Sequence, residues 1–194
     1  MNNREIILAS ASPRRRELLG NMGFSFKVVP ADIDESRLSQ SETPCEYVRR
    51  LSLSKAEKIL SLHPDAVIVG VDTTVSMNNE IFGKPADFEE FHLFMSKLSG
   101  KTHQVFTGLS VIDRDRTVSS YVKSDVTFVE MSEKDISDYW ATGEPVDKAG
   151  GYAIQGIGGS YIKCVSGSVS SIIGLPQAEL RIILNSFMEG GIHE

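Results

Sequence analysis

An α/β fold built on a mixed sheet, with helices on both sides, is the architecture that this sequence predicts. Apolar runs that suit buried strands, such as 66–71, alternate with amphipathic segments that suit helices, such as 44–62. Two extended stretches, 103–112 and 118–129, follow one another closely and predict an antiparallel pair. The 194 residues show no internal repeat and no low-complexity linker, so a single domain over 1–194 is expected.

Local signals place each element in turn. A strand over about 5–10 leads into a helix over about 12–22, where Ser12 offers an N-cap oxygen and Pro13 suits the first helical position. Apolar periodicity, turn residues and capping residues place the others. They are, in chain order, a strand over 24–29, a polar loop over 31–41, a helix over 44–62, a strand over 66–71, a hairpin over 75–82 that turns at Asn78-Asn79, and helices over 87–98, 132–141 and 176–188.

The composition restricts the class of protein. A formal net charge of −6 disfavours general nucleic-acid binding, which needs a basic surface. Cys45 and Cys164 have no zinc-binding spacing, and His103 is expected to be a structural histidine with satisfied hydrogen bonds. No apolar run approaches the length of a membrane span, and the run Ile6–Ala9 is too short for a signal peptide. We therefore expect a cytoplasmic protein with no nucleic-acid or membrane partner.

Arg14, Arg15 and Arg16 crowd the start of the first predicted helix. Cations are unfavourable there, because the helix dipole already presents positive charge. A bound anion would compensate, held by free backbone N–H groups and guanidinium forks, and a phosphate fits best. The alternative is a solvated basic helix end.

A lysine interrupts the apolar face of the second predicted helix. Lys55 lies at helical spacing with Val48, Leu51, Ile59 and Leu62, so it belongs to their face. Such a lysine either extends its ammonium group to solvent or meets a buried anion.

Carboxylates follow two of the predicted strands. Asp72 stands where the strand 66–71 ends, and ligands of α/β sheets gather beyond the carboxyl ends of strands. There it can take a proton from water or hold a hydrated metal ion, unless it forms an Asx turn into the hairpin. Asp32, Asp34 and Glu35 lie on the loop after the second strand, where they either bind Mg²⁺ or Mn²⁺ near phosphates or are solvated, as we favour for Asp32.

Two later segments could also bind phosphate. Lys84 lies in a constrained turn, Gly83-Lys84-Pro85, which could equally be an ordinary surface turn. The glycine-rich run 147–159 sets Lys148 and Gln155 among backbone N–H groups that suit phosphate or base contacts. This run lacks P-loop spacing, and no dinucleotide-binding fingerprint follows a strand, so neither type of site is indicated.

Read together, these motifs resemble the Maf family of nucleotide pyrophosphatases over nearly the whole chain. Leu8–Leu19 resembles the opening signature of the family, and Val69–Val75 resembles its catalytic-aspartate motif. Later blocks match in the family's order: Gly83–Pro85, Ser99-Gly100 with His103 and Thr107-Gly108, Lys148–Gly156, and Gly174–Pro176. Several collinear motifs make chance agreement an inadequate explanation.

The resemblance implies a fold akin to inosine triphosphate pyrophosphatases, with a long twisted mixed sheet and two lobes around a central cleft. It implies hydrolysis of a nucleoside triphosphate to the monophosphate and pyrophosphate, with Mg²⁺ or Mn²⁺. Asp72 would be the proton acceptor that activates water, Lys84 and Glu35 would complete the catalytic set, and Glu35 and Asp72 would hold the metal. The groups that would bind the triphosphate are Ser10, the amides of the first helix, Arg14, Arg15, Lys55 and Lys84, with Lys148 supporting them less directly.

Three positions resemble the dTTP/UTP type of the family, namely Arg14, Thr73 and Gln155. The 7-methyl-GTP type has tryptophan at the first of these, whereas the only tryptophan here is Trp140. A glutamine amide can donate and accept, which matches the O4 and N3–H edge shared by uracil and thymine. The alternatives are a purine or inosine triphosphate pyrophosphatase and a non-catalytic nucleotide-binding regulator of cell division. The resemblance also makes a homodimer plausible.

Overall fold

The computed structural model describes residues 4–189 as a mixed α/β protein. The strands in these residues are β1 (Ile6–Leu8), β2 (Phe26–Val28), β3 (Val67–Met77), β4 (Glu80–Phe82), β5 (Thr102–Ile112), β6 (Thr117–Phe128) and β7 (Ile162–Ser166). The α-helices are α1 (Pro13–Gly20), α2 (Pro44–Leu60), α3 (Phe88–Leu98), α4 (Glu133–Ala141), α5 (Val169–Ile173) and α6 (Gln177–Glu189), and short 3-10 segments occupy Glu144–Asp147, Ala149–Gly151 and Ile157–Tyr161.

All seven strands of the described chain belong to one sheet, in the order β2-β1-β3-β5-β6-β7, with β4 paired to β3. β1 runs parallel to both β2 and β3, so that Ile7 lies opposite Lys27 and Ile68. β4 and β7 pair antiparallel with β3 and β6. The predicted mixed sheet is therefore confirmed, while β7 and α5 were not predicted because their segments carry no clear apolar period.

β3 is longer than the sequence predicts. The predicted strand and the first arm of the hairpin form one element, Val67–Met77, so Asp72 lies in the middle of a strand. The prediction that the strand ends at Asp72 is wrong, and so is the alternative Asx turn, because β-branched residues after Asp72 favour continued strand. The hairpin turn at Asn78 and Asn79 is confirmed, with positive φ values of 52° and 64°.

Two details of the first helices differ from prediction. Pro13 is the first residue of α1, as predicted, but the Ser12 side chain makes no capping hydrogen bond. α2 begins after Thr43, which forms a capping box with Glu46. Because α2 ends at Leu60, Leu62 lies beyond it and is 63% exposed, so its predicted place on the inward face is wrong.

α2 packs directly on the sheet at two glycines. A Cβ atom added at Gly70 of β3 would lie 2.0 Å from the carbonyl oxygen of Ser52, and one at Gly108 of β5 would lie 2.1 Å from that of Val48. No larger residue fits where helix and strand backbones approach this closely. These contacts set the position of α2 against β3 and β5.

Contacts divide the chain into two compact units, and each has its own apolar core. Within the described residues, the first unit comprises 4–72, Thr107–Val122 and 174–189, while the second comprises Thr73–Phe106 and Lys123–Ile173. The buried cluster of the first is Ile7, Ala9, Ala56, Ile59, Ala66, Ile68 and Ile112. The buried cluster of the second combines aliphatic side chains with six aromatic ones, namely Phe82, Phe91, Phe94, Phe128, Tyr139 and Tyr152. That residues 1–194 form a single domain stays a prediction.

His103 lies in the core of the second unit, edge-on to the rings of Phe128 and Tyr152. Its Nε2 atom lies 2.8 Å from the Tyr152 hydroxyl, but its Nδ1 atom has no hydrogen-bond partner within the described residues. The structural role is confirmed, and the expectation of full hydrogen-bond satisfaction is wrong. Burial lowers the pKa of His103 to about 4, so the ring is neutral at pH 7.

None of the helices in residues 4–189 combines the length and the apolarity that crossing a membrane requires.

Candidate active site

Lys55 joins two carboxylates in the first unit. Its Nζ atom lies 2.6 Å from Oδ1 of Asp72 and 2.7 Å from Oε1 of Glu35. The Lys55 and Asp72 side chains are 8% and 9% exposed, whereas that of Glu35 is 48% exposed. Of the two predicted fates of this lysine, the structure shows contact with a buried anion and not extension to solvent.

The elements that bring these groups together follow from the sequence pattern. Val48, Leu51 and Ile59 share the buried face of α2 with Lys55. That face packs on β3, and the alternation along β3 leaves Asp72 buried beside the helix. A lysine within reach of the strand therefore meets the carboxylate without leaving the core.

Burial and charge oppose one another at this site. Burial raises the pKa of the Asp72 carboxyl above its ordinary value, while the positive charges of Lys55 and Arg15 act against this rise. Burial also lowers the pKa of Arg15, an effect opposed by Asp72 and enhanced by Arg14. A carboxylate with a raised pKa is a better proton acceptor than one in water.

The start of α1 supplies a fixed guanidinium group. Arg15 donates from Nη1 to Oγ of Ser10 at 3.1 Å and from Nε to the carbonyl oxygen of Gly174 at 3.0 Å. Ser10 also accepts a 3.3 Å hydrogen bond from the backbone N–H of Ser12. Arg16 is exposed, as expected of a solvated helix end, whereas Arg14 is half-buried.

The loop before α2 carries Glu35 to Lys55. The Tyr47 hydroxyl donates to the main-chain carbonyl of Glu35 at 2.9 Å. Asp34 accepts from the backbone N–H of Ser36 in an exposed local turn, and Asp32 is also exposed, as favoured from the sequence. Sequence reasoning missed Tyr47, although its position on α2 next to the acidic loop was a usable signal.

The carboxylates of Asp72 and Glu35 fit a hard divalent cation. Both contact the same Lys55 nitrogen, so their oxygen atoms lie near one another, and carboxylate oxygen is the ligand that Mg²⁺ and Mn²⁺ prefer. Within residues 4–189, no cluster of three or more His, Cys, Asp and Glu side chains could hold a metal. Two carboxylates suffice for Mg²⁺ when water and substrate phosphates complete its coordination.

The remaining predicted residues belong to the second unit. Thr73 follows Asp72 in β3 and is half-buried, while Lys84 and Gln155 are exposed. Lys148 is 14% exposed and forms an ion pair with Asp147. A 2.8 Å hydrogen bond from the N–H of Gly150 to the carbonyl of Gly83 joins the segments that carry Lys84 and Lys148. The structure therefore brings these two segments together within this unit.

A half-buried acceptor, Glu144, supports the segment that carries Gln155. Glu144 accepts from the Tyr139 hydroxyl at 2.5 Å and from the backbone N–H groups of Ile157 and Gly158 at 2.9 Å. These hydrogen bonds hold the pKa of Glu144 below its ordinary value, although burial opposes them. Sequence reasoning did not identify Glu144, which lies eleven positions before Gln155 and outside the predicted glycine-rich run.

Known proteins match this chain over nearly its whole length. The family model described as Maf-like protein matches residues 5–187. A "dTTP/UTP pyrophosphatase" of Shewanella denitrificans is 44% identical over 191 residues, covering 94% of this chain and 96% of that protein. A "dTTP/UTP pyrophosphatase" of Vibrio cholerae is 44% identical over 184 residues, covering 94% and 98%.

A solved structure gives the fold independently. The "Nucleoside-triphosphatase / dITP/XTP pyrophosphatase" of Mycobacterium abscessus superposes with a TM-score of 0.51 at 11% identity, covering 98% of this chain and 100% of that one. The predicted likeness to inosine triphosphate pyrophosphatases is thus confirmed for the fold, and the two-lobed cleft stays a prediction. Since the family model spans nearly all of the sequence, this chain belongs to the family of Maf-like proteins.

Proposed function

We propose that this protein is a nucleoside triphosphate pyrophosphatase that hydrolyses dTTP and UTP to the monophosphate and pyrophosphate. The observation that carries the proposal is a buried carboxylate, Asp72, whose Oδ1 atom lies 2.6 Å from the ammonium group of the buried Lys55. Relatives of nearly equal length, 40–44% identical to this chain, are named dTTP/UTP pyrophosphatases, which supports the same reaction and substrates.

Asp72 is the proton acceptor in this proposal. A water oxygen attacks the α-phosphorus, its proton passes to the Asp72 carboxylate, and the bond from the α-phosphorus to the bridging oxygen breaks. Pyrophosphate leaves with the electron pair of that bond. Proton transfer to a positioned base contributes roughly 10²–10⁴-fold to such a reaction. The raised pKa of Asp72 favours the transfer, because the carboxylate binds the proton more readily.

Cations neutralise the charge that develops on the phosphate oxygens. Arg14, Arg15, Lys55, the Ser10 hydroxyl and the amides of α1 bind the triphosphate in the first unit. Arg15 needs little reorganisation for this role, since Ser10 and Gly174 already fix its guanidinium group.

A divalent cation held by Glu35 and Asp72 supplies further charge neutralisation at the phosphates when bound. These carboxylates are oriented by Lys55, which contacts both of them. Lys55 therefore keeps two negative groups together that would otherwise repel one another.

The second unit supplies the remaining contacts in this proposal. Lys84 is a catalytic cation, Lys148 supports phosphate binding less directly, and Gln155 recognises the O4 and N3–H edge of the pyrimidine with Thr73 nearby in sequence. We further expect a cytoplasmic enzyme, and a homodimer is consistent with the family.

The test is incubation with a panel of nucleoside triphosphates and Mg²⁺ or Mn²⁺, with pyrophosphate and orthophosphate measured separately. Asp72→Asn is expected to lower kcat by roughly 10²–10⁴-fold and to retain nucleotide binding. Asp113→Asn is the matched control, because Asp113 is another buried carboxylate of the first unit, paired with Arg4. Orthophosphate as the direct product would refute attack at the α-phosphorus, and a guanosine or inosine preference would refute the role of Gln155.

A further inference from the structure

Glu35 reaches Lys55 from a segment without regular secondary structure. Residues 29–35 contain no helix or strand, and the next regular element is α2. The Glu35 side chain is about half exposed, so packing alone does not hold it in place. Its 2.7 Å contact with Lys55 therefore requires that other residues fix the backbone of this loop.

The strongest of these restraints is a forked ion pair between α2 and the loop. Arg50 donates from Nε to Oε1 of Glu42 at 2.6 Å and from Nη2 to Oε2 at 3.0 Å. The side chains are 24% and 7% exposed. This geometry differs from that of ordinary surface pairs, because two parallel hydrogen bonds fix the relative orientation of both groups.

Both partners also bind the loop backbone next to Glu35. Arg50 donates from Nη2 to the carbonyl oxygen of Ser36 at 3.0 Å, and Glu42 accepts from the N–H of Leu38 at 3.1 Å. The Arg50 fork keeps the pKa of Glu42 below its ordinary value, so Glu42 is ionised at neutral pH. The ion pair thereby ties the residue that directly follows Glu35 to the helix that carries Lys55.

We propose that Arg50 and Glu42 are positioning residues for catalysis, which hold the loop so that Glu35 meets Lys55 and Asp72. This inference rests on the proposed function, since it assigns the reason why Glu35 is available at the site. Arg50 acts through the loop backbone, because its guanidinium group donates to the Glu42 carboxylate and to the carbonyl oxygen of Ser36. Because the loop is already ordered, it loses no further conformational entropy when Glu35 takes part in each turnover.

The test is a double-mutant cycle on the full-length protein with Arg50→Ala and Glu35→Gln. Displacing a catalytic group by about 1 Å can lower the rate by up to 10²-fold, so Arg50→Ala is expected to lower kcat about 10- to 100-fold with a smaller change in KM. In the Glu35→Gln background the same substitution is expected to change kcat less than about twofold, because the group being positioned is already lost. Equal effects in both backgrounds would overturn the proposal.

Two further variants separate positioning from charge and from stability. Arg50→Lys keeps the charge and loses the fork, so it is expected to resemble Arg50→Ala, and near-normal activity would contradict positioning. Arg4→Ala is the matched control, because Arg4 forms a 2.7 Å ion pair with buried Asp113 in the same unit. It is expected to lower Tm comparably while kcat stays normal.

Hydrogen exchange at the Leu38 amide tests the tether without any assay of activity. Its exchange is expected to accelerate at least tenfold in Arg50→Ala and to stay unchanged in Arg4→Ala. Unchanged exchange in Arg50→Ala would refute the tether. A wild-type protein without pyrophosphatase activity would refute the proposed function instead, and the exchange result would still decide whether Arg50 holds the loop.

Discussion

Replacing Gly70 by alanine tests the contact that places Lys55 beside Asp72. The added methyl group would lie 2.0 Å from the carbonyl oxygen of Ser52 and 2.9 Å from Cβ of Ala56. Ordinary contact begins at 3.4 Å, so the α2 backbone must move by more than 1 Å. The 2.0 Å contact is to backbone, and no change of side-chain rotamer can relieve it.

The cost follows from overpacking in a close-packed core. Inserting a methyl group where the surroundings cannot collapse costs about 1–3 kcal/mol, and this site belongs at the upper end because backbone meets backbone. Loss of the glycine's conformational freedom in the unfolded chain returns about 0.5–1 kcal/mol. The net loss is therefore about 2 kcal/mol, which lowers Tm by roughly 4–8 °C for a chain of this size.

Thermal unfolding followed by circular dichroism measures this loss, with Gly20→Ala as the control. Gly20 is the last residue of α1, and an added Cβ there meets nothing within 4 Å. That control is expected to be neutral or slightly stabilising. Because Lys55 lies between Ser52 and Ala56 on α2, Gly70→Ala is also expected to lower pyrophosphatase activity in the protein that remains folded. A Tm within 1 °C of the wild type would refute the close approach of helix and strand.

Three further predictions concern protonation and substrate choice. Burial lowers the pKa of His103 to about 4, from about 6.5 in the unfolded chain, so the free energy of unfolding is expected to fall by about 3 kcal/mol as pH falls from 6.5 to 4. Urea titrations across this range measure that loss, and in His103→Gln the free energy of unfolding should depend less steeply on pH. The same pH dependence in the variant and the wild type would contradict this prediction. Asp72 must be ionised to accept a proton, and burial raises its pKa. We therefore expect kcat/KM to rise with pH along an acid limb whose midpoint lies above the ordinary aspartate pKa of about 3.9. A midpoint at or below that value would count against Asp72 as the base. Glu144→Gln replaces a carboxylate that accepts hydrogen bonds from Tyr139 and from backbone N–H groups near Gln155. We expect kcat/KM for dTTP, relative to that for dGTP, to fall about tenfold in this variant. A lower Tm with an unchanged ratio of kcat/KM for the two substrates would assign Glu144 a purely structural role.

The sequence predicted secondary structure well wherever apolar residues recurred with a single clear helical or strand spacing. The inward face of α2 and the turn at Asn78 and Asn79 follow directly from residue types and spacing. The predicted end of a strand at Asp72 was wrong, because a polar residue inside a long buried strand looks like a strand end when no neighbour is known. The absent Ser12 cap is a similar case, since a residue type that suits a cap does not force its side chain to form one.

The candidate site was predictable in its members and not in its contacts. Lys55 was recognisable as a candidate because a charged residue is unusual on an apolar helical face. Its partners could not be identified from the sequence. Lys55 and Asp72 are separated by 17 positions, and Arg15 and Gly174 by 159. The Arg50 and Glu42 pair was missed altogether, because arginines and glutamates near a helix start are common on solvated surfaces.

The sequence by itself determined the order of helices and strands, the unusual cations on α1 and α2, and membership of the Maf-like family. These depend on local propensity, periodicity and motif spacing, which are properties of neighbouring residues. Only the tertiary structure decided that one ammonium group joins Asp72 to Glu35 and that a forked ion pair restrains the loop carrying Glu35. The physical reason is that the spacing of apolar residues indicates which face of a helix or strand is buried. Which residues contact that face depends on where two backbones cross in space, as the close contacts of Gly70 and Gly108 with α2 show.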